Sequence, residues 1–317
     1  MTSPSEPLGE TMPGTVVVVG SINADLSVEV ARHPTPGETL PGRDASMRPG
    51  GKGANQAVAA ARLGATVAMV GAVGDDANAE VALSGIIAAG LDRTHLGMVP
   101  GPTGLAIVVV DAVGENSIIV VPGANGHVDA AFVDEAADAI RAADVVVAQG
   151  EIPASGTVRA AELTAGRFVL NLAPVTALPL EVIRRADPLV VNEHEAGLVL
   201  AMLGPEREAS QQDAHSEVAR ALVGAGVASV VMTLGAQGSL IVGRDTEMTA
   251  VPSAPVTAVD STGAGDAFVG ALVSRLAAGE TLVDAARFAS RVGAFACTRP
   301  GAQDSYPGLD DQLPVLP

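Results

Sequence analysis

The sequence predicts an α/β protein: a three-layer α/β/α sandwich on a mostly parallel central sheet, with a small β-sheet lid. Three observations carry this. Segments of helical period alternate with short continuous apolar runs, the pattern of βαβ crossovers around a sheet buried on both faces. Two stretches break that rhythm with alternating or β-branched runs joined by glycine-rich turns, as a smaller antiparallel sheet would. The 317 residues, 48% of them hydrophobic, suffice for one large core.

In chain order, the polar stretch 1–14 has neither the basic start nor the apolar centre of a signal peptide and is expected to be a mobile tail. "TVVVVG" (Thr15 to Gly20) is a buried strand, a β-branched run closed by glycine. The first lid segment, about 23–49, has no helical period. "GANQAVAAARLGA" then reads as helix, "TVAMVGAVG" as strand and "NAEVALSGIIAAG" as helix. The second lid segment, about 103–123, has "AVGEN" as its hairpin turn. Four helix–strand pairs follow: "AAFVDEAADAIRAA" with "DVVVAQG", "GTVRAAELTAG" with "RFVLNLAP", "LEVIRRA" with "DPLVVNE", and "SEVARALVGAG" with "VASVVMTLG". Val256 to Asp260 is expected to end a strand before one more apolar helix. The main domain is expected to span 15–310, with 311–317 as a closing tail.

Composition removes several function classes. Eighteen Lys and Arg against 36 Asp and Glu give a net charge of -18, which repels nucleic acid and anionic lipid. A single cysteine, Cys297, permits neither an intramolecular disulfide nor a thiolate zinc cage, and the five histidines form no HExxH pair. No uninterrupted apolar run reaches membrane-spanning length, so the expected location is the cytoplasm.

The most informative stretch is "DSTGAGDAFVGALVSRL", Asp260 to Leu276. Gly263, Ala264 and Gly265 let backbone N–H groups converge at a helix N-terminus, the geometry of an anion site. Asp266 in the first turn has two readings: a helix cap, or a base that takes a proton from a hydroxyl beside an anion cradle. Two commoner nucleotide motifs fail. In "RPGGKGAN", Gly53 stands where a P-loop needs Ser or Thr, and Ser46 where it needs its first glycine. In "GAGDAF", Phe268 occupies the third glycine position of a dinucleotide fingerprint.

The segments "GSINADLSVEVARHPTPGETL", "GGKGANQAVAAARLGA", "AVGDD", "NLAP", "VVNEHEA", "TLGAQGSLI", "VDSTGAGDAFVGAL" and "TRPGAQDSYP" occur in the order and approximate spacing of the ribokinase-like sugar kinases, the phosphofructokinase B family, which the chain resembles from about Val18 to Pro307. The resemblance implies ATP-dependent phosphorylation of a sugar hydroxyl, with transfer to O5 of D-ribose as the leading expectation. It also implies a lid that closes on the sugar and forms a homodimer contact. Deoxyribose, fructose and adenosine are the alternative acceptors. The near absence of aromatic residues, five Phe, one Tyr and no Trp, disfavours a base-stacking pocket. A sugar-binding regulator without catalysis is the alternative from another class.

Carried over residue by residue, the resemblance implies sugar contacts from Asn23, Asp25, Gly51, Lys52, Gly53, Asn55 and Glu151, with Asp266 as catalytic base and Gly263, Ala264 and Gly265 as anion hole. Asn192 and Glu195 would organise Mg2+. Thr233, Leu234, Gly235, Ala236, Gln237 and Gly238 would run along the nucleotide, with Gly265 and Ser290 also on that side. Asp260, Thr262, Ala296, Arg299, Gly301 and Ser305 would hold a potassium ion; the local alternative is that Asp260 only caps its turn. Two positions depart from the family pattern: Ser290 is small for its place near the adenine, and Gly150 is expected to enlarge the sugar pocket.

Overall fold

A computed structural model describes residues 14–204, 215–244 and 246–317. Its strands are β1 (Thr15–Val19), β2 (Asn23–Glu29), β3 (Asp44–Gly50), β4 (Thr66–Gly74), β5 (Leu96–Val99), β6 (Gly104–Val110), β7 (Asn116–Val121), β8 (Val145–Gln149), β9 (Arg167–Asn171), β10 (Leu189–Asn192), β11 (Ser229–Thr233), β12 (Ser239–Gly243) and β13 (Thr249–Val251). Nine form one sheet in the order β13-β12-β11-β10-β9-β8-β1-β4-β5, parallel from β11 to β5 and antiparallel at the β12–β13 edge.

The β-branched strands serve two cores at once. Side chains alternate across a strand, so Val16 and Val18 of β1 enter one core and Val17 and Val19 the other. On the first face lie helices Lys52–Arg62, Ala264–Ala277 and Leu282–Ala296; on the second lie Ala154–Leu163, Glu193–Leu203 and His215–Gly224. That is the expected three-layer sandwich.

The smaller sheet has the order β3-β2-β6-β7. Its two hairpins, β2–β3 and β6–β7, are antiparallel, and the central β2–β6 pair that joins them is parallel. The turn after β6 is the expected "AVGEN", with Asp111 N–H bonded to the Glu115 carbonyl and Gly114 at φ 86.

Three local expectations are corrected. Val256 to Asp260 is not a strand: Pro252 and Pro255 remove ladder donors just before it, and Val259 and Asp260 instead donate to the Cys297 carbonyl. "AAFVDEAADAIRAA" is two short helices, Ala130–Asp134 and Ala137–Ala142, each turning one residue, Val133 or Ile140, into the core. The helix expected to open at Asp266 begins at Ala264, with Gly263 in the left-handed region as its N-cap. The expected tail 1–14 lies outside the described residues apart from Gly14.

Candidate active site

The site lies at the C-terminal edge of the parallel strands, where open α/β sheets present ligands. From β1 the chain passes through Ser21 and Ile22 into β2, which starts with Asn23 and carries Asp25. Glu151 follows β8 and ties the turn together. Its Oε2 accepts from Ser21 Oγ at 2.5 Å and from the Lys52 N–H at 3.1 Å, while the Gly53 N–H donates to Ser21 Oγ at 3.2 Å. Glycine is needed here: a Cβ on Gly53 would stand 2.6 Å from Ser21 N, and Gly51 has φ 87. Asn23 is fixed by Asn125, whose Nδ2 donates to Asn23 Oδ1 at 2.7 Å and whose Oδ1 accepts the Ile22 N–H at 2.8 Å.

Charge is concentrated in this corner. Burial, with the carboxylates of Glu151 and Asp266 adding to it and Lys52 opposing, pushes the Asp25 carboxyl up to about 7. Asp25 Oδ1 is buried and has no hydrogen-bond partner among the described residues. The Lys52 ammonium is held above its usual range, chiefly by Asp266 and against its own burial, with Glu151, Glu195 and Asp25 contributing. A carboxyl kept dry with an open acceptor suits a polyol, whose hydroxyls can supply the missing donor.

Asp266 is buried, 7% exposed, at the third position of helix Ala264–Ala277. Its carboxylate does not cap that helix. Oδ2 accepts from Asn55 Nδ2 and Oδ1 from Gln56 Nε2, each at 3.0 Å, both donors coming from helix Lys52–Arg62. Asn55 Oδ1 accepts in turn from Gln303 Nε2 at 2.9 Å. In the adjacent cradle the Ala264 N–H is engaged by the Ser261 carbonyl at 3.1 Å, so that donor is not open. Among the described residues, the N–H groups of Gly263, Gly265 and Asp266 have no such acceptor. A Cβ on Gly265 would meet nothing within 4 Å, so space lies over the helix end.

Asn192 and Glu195 form a reciprocal capping box on helix Glu193–Leu203: Asn192 Oδ1 accepts the Glu195 N–H at 2.8 Å, and the Asn192 N–H donates to Glu195 Oε2 at 2.9 Å. Glu195 Oε1 has no hydrogen bond among the described residues, and Glu195 is among the charges acting on Lys52. Among the described residues no cluster of three His, Cys, Asp or Glu could cage a metal. One carboxylate oxygen beside a water-accessible edge fits a magnesium ion that keeps most of its hydration. Thr233 to Gly238 turn the β11–β12 hairpin, with Gly235 at φ 53, Gly238 at φ 92 and the Leu234 N–H on the Gly238 carbonyl at 2.8 Å.

Asp260 does cap its turn, accepting the Thr262 N–H at 2.9 Å and the Gly301 N–H at 2.8 Å. Burial opposes its ionisation, but these hydrogen bonds and the Arg48 charge together hold the carboxyl below its usual value. The carbonyls of Thr262, Arg299 and Gly301 carry no hydrogen bond among the described residues, and Ser305 Oγ donates to the Ala302 carbonyl, leaving its own lone pairs open. An anionic turn beside unused carbonyl oxygens fits a monovalent cation.

Gly150 does not enlarge the sugar pocket, because a Cβ there would sit 1.9 Å from the Pro174 carbonyl oxygen; backbone fills the space. Ser290 is buried, and its Oγ has no hydrogen-bond partner among the described residues. Four residues that sequence reasoning missed complete the site: Ser21, Gln56, Asn125 and Gln303. Gln56 sits inside the quoted "GGKGANQA", and only its placement one residue after Asn55 on a helix could have marked it.

A buried, doubly hydrogen-bonded carboxylate at a glycine-rich helix start, facing an acid-lined corner under a β lid, is the equipment of phosphoryl transfer to a hydroxyl. The chain belongs to the pfkB family of carbohydrate kinases, whose family model matches residues 14–309. Among its relatives, the ribokinase of Haemophilus influenzae is 35% identical over 309 residues, covering 96% of this chain and 99% of its own. The deoxyribokinase of Salmonella typhi is 33% identical over 300 residues, covering 93% of this chain and 96% of its own. The structure of Arabidopsis thaliana ribokinase complexed with ribose and ATP superposes with a TM-score of 0.83 at 31% identity, over 94% of this chain and 96% of that one.

Proposed function

We propose that this carbohydrate kinase transfers the γ-phosphoryl group of ATP to O5 of D-ribose, giving ribose 5-phosphate and ADP. The observation that carries it is the Asp266 carboxylate, locked between Asn55 and Gln56 at the cradle and beside Asp25 with its unsatisfied Oδ1. Asn23, Asp25, Gly51, Lys52, Gly53, Asn55 and Glu151 hold the sugar. Asp266 takes the O5 proton as O5 bonds to phosphorus, and the bond from phosphorus to the ADP oxygen breaks, its electron pair leaving with ADP. The free N–H groups of Gly263 and Gly265 and the Lys52 ammonium offset charge on the phosphoryl oxygens.

Magnesium, organised by Asn192 and Glu195, would neutralise the nucleotide phosphates, and Thr233 to Gly238 with Ser290 would border the nucleotide. A potassium ion at Asp260, Thr262, Ala296, Arg299, Gly301 and Ser305 would stiffen the loop that forms the cradle. The lid supports a homodimer: Ile118, Ile119, Val120 and Val121 of edge strand β7 are all exposed. No helix among the described residues is long and apolar enough to cross a membrane, and we place the enzyme in the cytoplasm.

The kinship with a deoxyribokinase supports a second acceptor, the same sugar without its 2-hydroxyl. The test is ATP-dependent phosphorylation of ribose, deoxyribose, fructose, adenosine and a no-sugar control, with and without potassium, by wild type and Asp266→Asn. Potassium-stimulated turnover with ribose preferred, lost by at least roughly a hundredfold in Asp266→Asn, is expected. Preference for deoxyribose moves the substrate and keeps the chemistry. Sugar binding without turnover on any acceptor would mean a regulator.

A further inference from the structure

Gln56 is fully buried, and both polar atoms of its amide have partners. Nε2 donates to Asp266 Oδ1 at 3.0 Å and to Asn171 Oδ1 at 2.9 Å, and Oε1 accepts from Gln149 Nε2 at 2.8 Å. Its orientation is dictated from outside. Asn171 Nδ2 donates to the Val190 carbonyl at 3.0 Å, and a backbone carbonyl can only accept. Asn171 must therefore turn its oxygen to Gln56, and Gln56 must turn its NH2 group to Asn171 and Asp266. Reversing the Gln56 amide would oppose its oxygen to two acceptors and its NH2 to the Gln149 donor. The chain of amides has one polarity, and it ends on the carboxylate.

The arrangement is costly for a residue that only fills space, since an apolar side chain of the same length would bury no polar atoms at all. Successive helix positions are rotated by about 100°, so Asn55 and Gln56 reach the carboxylate from different sides. Each takes one oxygen, which stops rotation of the carboxylate about its Cβ–Cγ bond. We infer that Gln56 is a positioning residue: held by Gln149 and Asn171, it fixes the plane of the Asp266 carboxylate so that its unbonded lone pairs are turned to the acceptor hydroxyl. The inference rests on Asp266 being the base.

The test uses Gln56→Met, which keeps length and removes the hydrogen bonds, and Gln56→Glu, which keeps shape and replaces the donor by an acceptor. With the sugar the enzyme turns over best, kcat per folded site is expected to fall roughly ten- to a hundredfold while the sugar KM stays within about threefold. Because the effect acts through the base, Gln56→Met added to Asp266→Asn should lower the residual rate no further. A merely structural residue would instead lower the yield or Tm and leave kcat per folded site unchanged. Wild-type kcat in either folded Gln56 variant overturns the inference. So does full turnover by Asp266→Asn, which would remove the base itself and is distinguishable because the Gln56 variants are then irrelevant to it. Where neither Gln56 variant folds, Gln149→Met, which frees Gln56 Oε1, decides on the same readout: reduced kcat at unchanged KM supports the inference, and wild-type kcat overturns it.

Discussion

Replacing Asp25 by asparagine removes a carboxyl that burial beside Glu151 and Asp266 makes hard to ionise. The native protein binds its proton with a pKa of about 7 against 3.8 for an unperturbed group. A pKa raised on folding stabilises the protein fully below the unfolded value, and that stability is lost as pH climbs through the folded one. With those two values, proton linkage through this group costs the protein roughly 2.7 kcal/mol between about pH 5 and about pH 8. Urea unfolding of wild type and Asp25→Asn at several pH values reads it, because titrating groups remote from Asp25 cancel in the difference. The variant is expected to gain about 2–3 kcal/mol on wild type across that interval. Parallel stability curves would refute the reasoning, since they would mean that Asp25 is ionised without penalty beside Glu151 and Asp266.

Asn192→Ala removes the side-chain half of the capping box, leaving the Glu195 N–H without its Asn192 Oδ1 acceptor, and a loss of about 1 kcal/mol in urea unfolding is expected. Gly53→Ala drives a Cβ to 2.6 Å from the Ser21 backbone nitrogen, so a loss of about 1–3 kcal/mol with weakened sugar binding by calorimetry should follow. Ile119→Asp puts a charge on a side chain 61% exposed at the lid edge. Light scattering should report monomers, with stability within about 0.5 kcal/mol of wild type.

The layers were legible because β-branched runs such as "TVVVV" and "SVVMT" can only be strands buried on both sides, whereas their crossovers carry helical period. The split after Asp134 and the prolines that unmake the 256–260 strand depend on packing and on missing donors, which periodicity does not register. At the site, the family resemblance carried charged residues such as Asp25, Glu151 and Asp266 and neutral ones such as Asn23 and Asn55, all within or beside its motifs. Ser21, Asn125, Gln149 and Gln303 escape it, since they meet partners 93 to 248 positions away in the chain only once the sheet is assembled. The capping box was half visible: "NEHE" has its spacing, and the fold gives those two residues a structural duty alongside any duty toward magnesium.

The lid is rooted in the corner around Ser21 and Glu151 by more than proximity. β2 begins at Asn23, β3 ends at Gly50, and Asn125, just beyond β7, clasps Ile22 and Asn23. Both hairpins are thus hinged on the residues proposed to grip the sugar. A shutter swinging on those hinges would displace Asn23 and Asp25, so the proposed grip and the gate would share one moving part. Phosphorylated sugar would then be loosened by the same swing that uncovers the exit, and mutations at the roots of the lid should register in the rate of product release as much as in affinity.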